Sequence, residues 1–412
     1  MIVKFTSSDG GDLRRAHQNF NPSSGPQQLS ENISNVLSTF EPQVYSRAFK
    51  PFIIPNLMST TTFYKSIQFR GSSTGEIVQK TFTYDLDGLA PNEVIIKVTA
   101  SGLCFTDILM LEKDMVLGHE GVGIVQAVGS GCKNVKVGDR VGWGGTNTLL
   151  LTSITRILAT PVPDTVREQA AAKPANFATA KTTPTAPKLN ESWLFEIPPE
   201  MTDIDAAPLM CAGATVWSPI IRNCKCFDRV GVIGFGGLGH LVIQFLRKMG
   251  CEVVVFSTDG TKREEAISLG TNEFYCVKGL KDYGELGIKP VDRMLICTSV
   301  KIQMGQFYPV LKPRATIISL TVGGTVTEGD PDSLTVPYAQ HVLTGITLHG
   351  SVISPRLEHQ KMLDFAARNE IHVMAEKFPM TLQGVNEAVE KLRSGKMRYR
   401  GVLVPNLGSD GS

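Results

Sequence analysis

The chain has 412 residues, 42% of them apolar, and its 41 Lys and Arg nearly cancel 39 Asp and Glu to leave a formal charge of +2. That length suggests two or three domains with a full core, and the near-neutral balance, without any basic run, gives no reason to expect nucleic acid. No uninterrupted apolar stretch approaches 18 residues, so no membrane partner is expected, and eight scattered cysteines without a secretory signal read as thiols or metal ligands of a cytoplasmic protein.

Residues 1–57 are rich in Ser, Asn, Gln and Pro, as in Asn21-Pro-Ser-Ser-Gly-Pro-Gln-Gln28, and read as a disordered or loosely attached extension with at most a short helix over 29–37. Met58 would start the folded part. From Phe63 the character changes. Strands are expected over 64–69, 76–82, 93–99, 122–128 and 139–141, parted by turn residues such as Gly71-Ser-Ser-Thr-Gly75 and Pro91-Asn92, as in a small β-rich domain. Within it lie Gly102-Leu-Cys-Phe-Thr-Asp107 and Leu117-Gly-His-Glu-Gly121. Cys104 and His119 are zinc-type ligands, Glu120 follows the histidine, and Cys211 stands far along the chain. Two cysteines and one histidine would leave a fourth position open, as a catalytic zinc requires. Spacing alone does not join them, because a lone Cys is ordinarily core and a lone His ordinarily satisfied.

The most informative stretch is Val230-Gly-Val-Ile-Gly-Phe-Gly-Gly-Leu-Gly-His240. A short buried strand over 229–233 runs into Gly234, Gly236, Gly237 and Gly239. Leu238, Leu241, Val242, Phe245, Leu246 and Met249 then mark one face of a helix. Gly250 would end it, and Glu252-Val-Val-Val-Phe-Ser257 is a second strand. Strand, glycine turn, helix and strand together are the context of a dinucleotide-binding fingerprint, with the pyrophosphate at the helix N-terminus. NAD sites usually place Asp or Glu at the end of the second strand. Here Ser257 and Thr258 stand there, with Lys262 and Arg263 following, so NADP(H) is the expected cofactor, and Asp259 dissents. Further strands over 291–298, 315–320 and 346–349 alternate with helical stretches such as 261–269, the pattern of a parallel sheet covered by helices. Helices are expected over 357–369 and 382–394. His240, His341, His349, His359, Cys224, Cys226 and Cys251 read as structural.

Six blocks in order resemble the zinc-dependent medium-chain alcohol dehydrogenases, in particular the cinnamyl-alcohol-dehydrogenase-like, NADP-using branch in its fungal form. They are residues 102–107, 114–121, Val137-Gly-Asp-Arg-Val-Gly-Trp143, Asp205-Ala-Ala-Pro-Leu-Met-Cys211, 230–240 and Lys396-Met-Arg-Tyr-Arg-Gly-Val402. The resemblance implies an α/β fold, a Rossmann doubly wound parallel sheet plus a GroES-like β-rich catalytic domain. The domains would run over 58–212 (catalytic), 213–350 (NADP-binding) and 351–412 (return to the catalytic domain, and tail). It implies one catalytic Zn2+ on Cys104, His119 and Cys211, with Glu120 able to approach it, Thr106 as the hydroxyl that meets the substrate oxygen, and Asp107 orienting a ligand. Arg398 and Arg400 match a site near the cofactor pyrophosphate. Phe105 and Leu109 depart from it, since many members carry a basic residue at the first and some a histidine at the second.

Residues 145–189 do not fit. The family normally holds a second, structural zinc here on four cysteines, and this chain has no cysteine between Cys132 and Cys211. Ala180-Lys-Thr-Thr-Pro-Thr-Ala-Pro187 typifies a composition that buries little, so disorder is expected and a structural zinc is not. Family members often continue Gly-Trp-Gly with Tyr-Glu-His, and codons GGG-TAC-GAA-CAC read one base over give Gly145-Thr-Asn-Thr148, as a shifted reading frame would. The expected function is hydride exchange between NADP(H) and a primary alcohol or aldehyde, aromatic or medium aliphatic, in a possible homodimer. A catalytically impaired relative that keeps the nucleotide fold, and a zinc-free quinone-type reductase of the same superfamily, are the alternatives.

Overall fold

The computed structural model describes residues 63–144, 188–300, 302–321, 334–351 and 353–405, all within the larger of two units, Thr61–Ser412. The expected extension over 1–57, the helix over 29–37 and residues 145–187 of the atypical stretch lie outside the described residues.

The chain enters through a hairpin, β1 (Phe63–Arg70) and β2 (Val78–Asp85), which form a two-stranded sheet of their own. The third strand, β3 (Glu93–Leu103), is longer than its alternation suggested and leads into a single helical turn, α1 (Phe105–Leu109). Next come β4 (Glu120–Val128), β5 (Arg140–Trp143), β6 (Lys188–Asn190) and β7 (Phe195–Glu196). Lys188 and Leu189, at the end of the atypical stretch, pair with Ile95 and Val94 of β3, and Leu189 is buried.

A continuous helical run follows: α2 (Asp203–Pro208), a π turn (Leu209–Gly213) and α3 (Ala214–Asn223). Thr202 caps its start by accepting the Asp205 N–H at 3.1 Å. The sequence reading gave no helix here, because Pro208 and Pro219 interrupt the pattern. Pro208 has no N–H to donate, and the chain widens into the π turn just after it. Asp203–Asn223 is long and apolar enough to span a bilayer by length and composition, but 78% of its apolar window is buried inside the protein, as in a core helix.

The second sheet is wholly parallel. It is built from β8 (Arg229–Ile233), β9 (Glu252–Ser257), β10 (Glu273–Cys276), β11 (Val291–Ile296), β12 (Leu311–Ser319) and β13 (Thr347–Gly350), in the order β10-β9-β8-β11-β12-β13. This is the doubly wound arrangement, with its switch point between β8 and β11. All five residues of β8 are buried, as a central strand covered on both faces requires. The helices include α4 (Gly239–Lys248), α5 (Arg263–Ser268), α6 (Tyr338–Thr344), α7 (Arg356–Arg368) and α8 (Leu382–Arg393). The chain then returns. β14 (Ala375–Pro379) pairs with β15 (Arg400–Val404), and β15 with β3, closing the first sheet in the order β14-β15-β3-β4-β5-β7. One core runs from Ala100 and Val122 of that sheet through Met210 and Ile220 to Val230 and Val253 of the other. At the N-terminal edge of the parallel sheet, Arg229 is 2% exposed and donates to Glu252 of β9, to Glu273 of β10 at 2.7 Å and to the Lys289 carbonyl at 3.0 Å, tying three strands in register.

Two imidazoles sit fully inside this core. Burial pushes His240 of α4 down to about 4 and His359 of α7 down to about 3. The unfolded chain therefore binds protons that the folded one refuses, so their contribution is complete above the ordinary histidine pKa of about 6.5 and is lost as pH falls toward 4, at about 1.4 kcal/mol per pH unit for each group. His359→Leu should remove about one proton from the pH dependence of unfolding, read as urea midpoints at neutral pH and about pH 5. An unchanged dependence would contradict the burial of a neutral imidazole.

Candidate functional site

Three segments meet at one buried point. β3 ends at Leu103, and Cys104 opens α1. Asp107, in that turn, takes the Cys104 N–H on Oδ2 at 2.9 Å and the Gly118 N–H on Oδ1 at 2.8 Å, with His119 Nδ1 3.2 Å from Oδ1. One carboxylate thus fixes the turn bearing Cys104, the approach to β4 and the imidazole. Glu120, the first residue of β4, faces Gly102 across the ladder. A Cβ at Gly102 would fall 2.1 Å from Glu120 Oε2, so the strand can carry that glutamate only opposite a glycine. Cys211 arrives on the π turn.

The ligand atoms of Cys104, His119, Glu120 and Cys211 all lie within 4.8 Å of one another. His119 Nε2 and Glu120 Oε2 are buried without a partner. An orphaned imidazole nitrogen between two thiols and a carboxylate is a donor set that fits a zinc ion. Arg400, also buried, donates to Glu120 Oε1. The charges are strongly coupled. The hydrogen bond from Cys211 and the nearby His119 hold the Cys104 thiol well below its ordinary range although burial opposes this, and Cys211 is correspondingly pushed up. Burial disfavours charge on His119, but Asp107 and Cys104 outweigh it and raise its pKa. Burial pushes Glu120 up to about 7, against the pull of Arg400. Thr106 is half-buried, its Oγ1 3.7 Å from Cys104 Sγ.

The glycine turn follows β8. A Cβ at Gly239 would fall 2.1 Å from the Gly234 carbonyl oxygen, so the helix start can pack on the turn only as glycine, whereas Gly236 opens onto free space that a Cβ would fill. Leu238 is the N-cap residue of α4 and packs on the core. Arg400 Nη1 lies 3.4 Å from the Cβ position of Gly237, and its Nε is buried without a partner, so this residue touches both the turn and the cysteine cluster. An open glycine turn beside a buried orphan donor fits a pyrophosphate. At the end of β9, Ser257 is buried. Its hydroxyl donates to the Asp259 carbonyl at 3.2 Å and accepts the Asp259 N–H at 3.1 Å, so Thr258, which is exposed, carries the freer hydroxyl. The dissenting Asp259 turns its carboxylate to the Thr261 N–H and hydroxyl, at 3.0 and 2.7 Å, and those bonds lower its pKa. Lys262 Nζ donates to the Phe235 carbonyl at 3.2 Å, and the Arg263 guanidinium stands 5.1 Å over the Phe274 ring of β10. Arg398 is paired with Glu265 at 3.0 Å.

Sequence reasoning missed Tyr399, whose ring faces Lys262, and Glu265, which receives the Tyr399 hydroxyl, and it missed the Arg400–Glu120 pair. No periodicity marks them, because each contact joins residues more than 130 positions apart.

Residues 90–153 match the family model described as alcohol dehydrogenase GroES-like domain, and residues 237–368 match that described as zinc-binding dehydrogenase. The chain is 30% identical over 333 residues to an alcohol dehydrogenase of Geobacillus stearothermophilus, spanning 76% of this chain and 92% of that protein. It is 27% identical over 354 residues to NADP-dependent alcohol dehydrogenase 6 of Saccharomyces cerevisiae, spanning 79% and 92%. A solved cinnamyl alcohol dehydrogenase from Sorghum bicolor shares the fold, with a TM-score of 0.68 at 24% identity over 84% of this chain and 100% of that one.

Asp107 spends both carboxylate oxygens on the chain around the cluster and so orients it. Asp107→Ala should weaken zinc binding by about 10–100-fold in chelator competition. Unaltered affinity in a folded variant would show that the carboxylate is dispensable.

Proposed function

Since the chain belongs to the zinc-type medium-chain alcohol dehydrogenase family, we propose that it is a zinc-requiring enzyme that transfers a hydride between NADP(H) and a primary alcohol or aldehyde, aromatic or medium aliphatic. The observation that carries this reading is the cluster of two thiols with a buried imidazole and a buried carboxylate, His119 Nε2 being unpartnered. It also weighs against a zinc-free reductase. Cys104, His119 and Cys211 would hold the ion and leave a fourth position open, and a bound zinc would supply Lewis-acid polarisation of the substrate oxygen.

The chain's own groups supply the rest. Arg400 restrains one oxygen of Glu120 and leaves the other free at the cluster. The Thr106 hydroxyl can accept a proton from a substrate hydroxyl while passing its own to solvent, to which it is partly exposed. Asp107 holds the His119 ring so that Nε2 faces the other ligands. The open backbone at Gly236, the start of α4 and the orphaned Arg400 Nε suit the pyrophosphate. Thr258, Lys262 and Arg263, with Asp259 occupied by its own turn, favour the additional phosphate of NADP(H), in keeping with the name of the yeast relative. Exposed Tyr338, Val342 and Leu343 on α6, close in sequence to the edge strand β13, support a homodimer. Eight free thiols support a reducing, cytoplasmic setting.

Purified protein should contain about one zinc per chain and oxidise NADPH with cinnamaldehyde or hexanal. Zinc-loaded, folded protein without turnover would mean an impaired relative, and folded protein without zinc would sink the metal reading. Thr106→Val should lower kcat by about 10²–10⁴-fold at unchanged zinc content. Unchanged turnover would remove Thr106 from the proton path.

A further inference from the structure

Lys262 brings a positive charge to the end of β9, but its own backbone does little to fix it. Residues 260–262 make a single 3-10 turn, and the side chain is half-buried. Its ammonium is held from elsewhere. Nζ donates to the Phe235 carbonyl in the glycine turn at 3.2 Å and stands 5.1 Å from the centroid of the Tyr399 ring. Tyr399 comes from the far end of the chain, one residue before β15, and is 4% exposed. Its ring packs on Phe235 and His240, with centroids 5.0 and 5.6 Å apart. Its hydroxyl donates to Glu265 of α5, which also receives Arg398. Its backbone N–H is bonded to the Met374 carbonyl at 2.9 Å. Burial and the Glu265 carboxylate push the phenol upward, so it stays a neutral donor.

An ammonium has three N–H donors. The Phe235 carbonyl takes one and the negative face of the ring attracts the charge from one side, leaving donor capacity for an anion. A lysine held this way loses little further freedom when a phosphate arrives, so the gain falls on ligands that carry a phosphate there. We propose that Tyr399 is a positioning residue for cofactor choice, its ring face holding the Lys262 ammonium against the glycine turn in readiness for the 2′-phosphate of NADP(H). This rests on the NADP(H) reading above. It gives the residue just before the return strand a part in nucleotide selection, next to Arg400, which opens that strand and lies beside the glycine turn.

The test is the dissociation constant of NADPH and of NADH for the purified full chain, by calorimetry, without turnover. Tyr399→Leu should weaken NADPH by about 3- to 30-fold and leave NADH nearly unchanged. Tyr399→Phe, which keeps the ring face and gives up only the Glu265 bond, should retain most of the NADPH affinity. In a Lys262→Gln background, Tyr399→Leu should cost NADPH nothing more. Equal weakening of both nucleotides, or a full NADPH loss that persists without Lys262, would assign Tyr399 a purely structural role and overturn the proposal. If the leucine variant does not fold, site-specific fluorinated phenylalanines at position 399, which drain the ring face without changing its shape, should grade NADPH but not NADH affinity, and a flat series would overturn it. The two readings fail separately. A wild-type chain that binds NADH as tightly as NADPH defeats the cofactor reading, whereas a preference that Lys262→Gln removes and Tyr399→Leu spares defeats only the role of Tyr399.

Discussion

Asp107 is 3% exposed and spends both carboxylate oxygens on the chain around it. It receives the Cys104 and Gly118 N–H groups and stands against the His119 ring, so the turn after β3 and the loop before β4 are locked to one another. The same point ties in the end of the chain, because Glu120 is held by Arg400 at the start of β15, and β15 is itself paired to β3. Cys211 closes the set from the π turn. A buried arrangement of this kind stores a cost in each unpaired polar atom. His119 Nε2 and Glu120 Oε2 are two such atoms, side by side with two coupled thiols. A cation there would offset all of them together, which is why the cluster reads as a binding site rather than a packing accident.

The nucleotide half follows a different logic. Its parallel sheet is held by apolar burial on both faces of β8 and by the Arg229 seam along its N-terminal edge, leaving the opposite edge free to carry chemistry. There Gly234 and Gly239 come together closely and Gly236 opens outward. At the end of β9, Ser257 and Asp259 satisfy one another and their own turn, while Thr258 is exposed and Lys262 reaches back to the Phe235 carbonyl of the glycine turn. Arg400 connects the halves, bonded to Glu120 on one side and beside Gly237 on the other.

How much of this was legible in the sequence depended on distance along the chain. The glycine turn was readable from Arg229 to Ser257 because strand, turn, helix and strand are contiguous, and each leaves its own periodicity. Cys104, His119 and Cys211 were not readable from spacing, since Cys211 reaches the others only through the π turn, so only the likeness of whole blocks to a family joined them. Pro208 and Pro219 hid the helical run that carries Cys211. β10 and β14 were passed over because their mixed polar and apolar residues, Glu273-Phe-Tyr-Cys276 and Ala375-Glu-Lys-Phe-Pro379, take strand form from parallel neighbours rather than from alternation. Tyr399 and Glu265 could not have been chosen in advance, because a phenol and a carboxylate 134 positions apart announce nothing until the fold joins them and sets the ring against Lys262.

Cys104, His119 and Cys211 would bind one metal ion through two thiolates and an imidazole. Cobalt(II) titration of the metal-stripped chain tests it most directly, because thiolate ligation gives an intense sulfur-to-metal charge-transfer band and tetrahedral geometry gives strong visible absorption. Both features should saturate at about one equivalent, with the charge-transfer band roughly halved in Cys211→Ser. A weak, octahedral-type spectrum without a charge-transfer band, from a chain that remains folded, would contradict it.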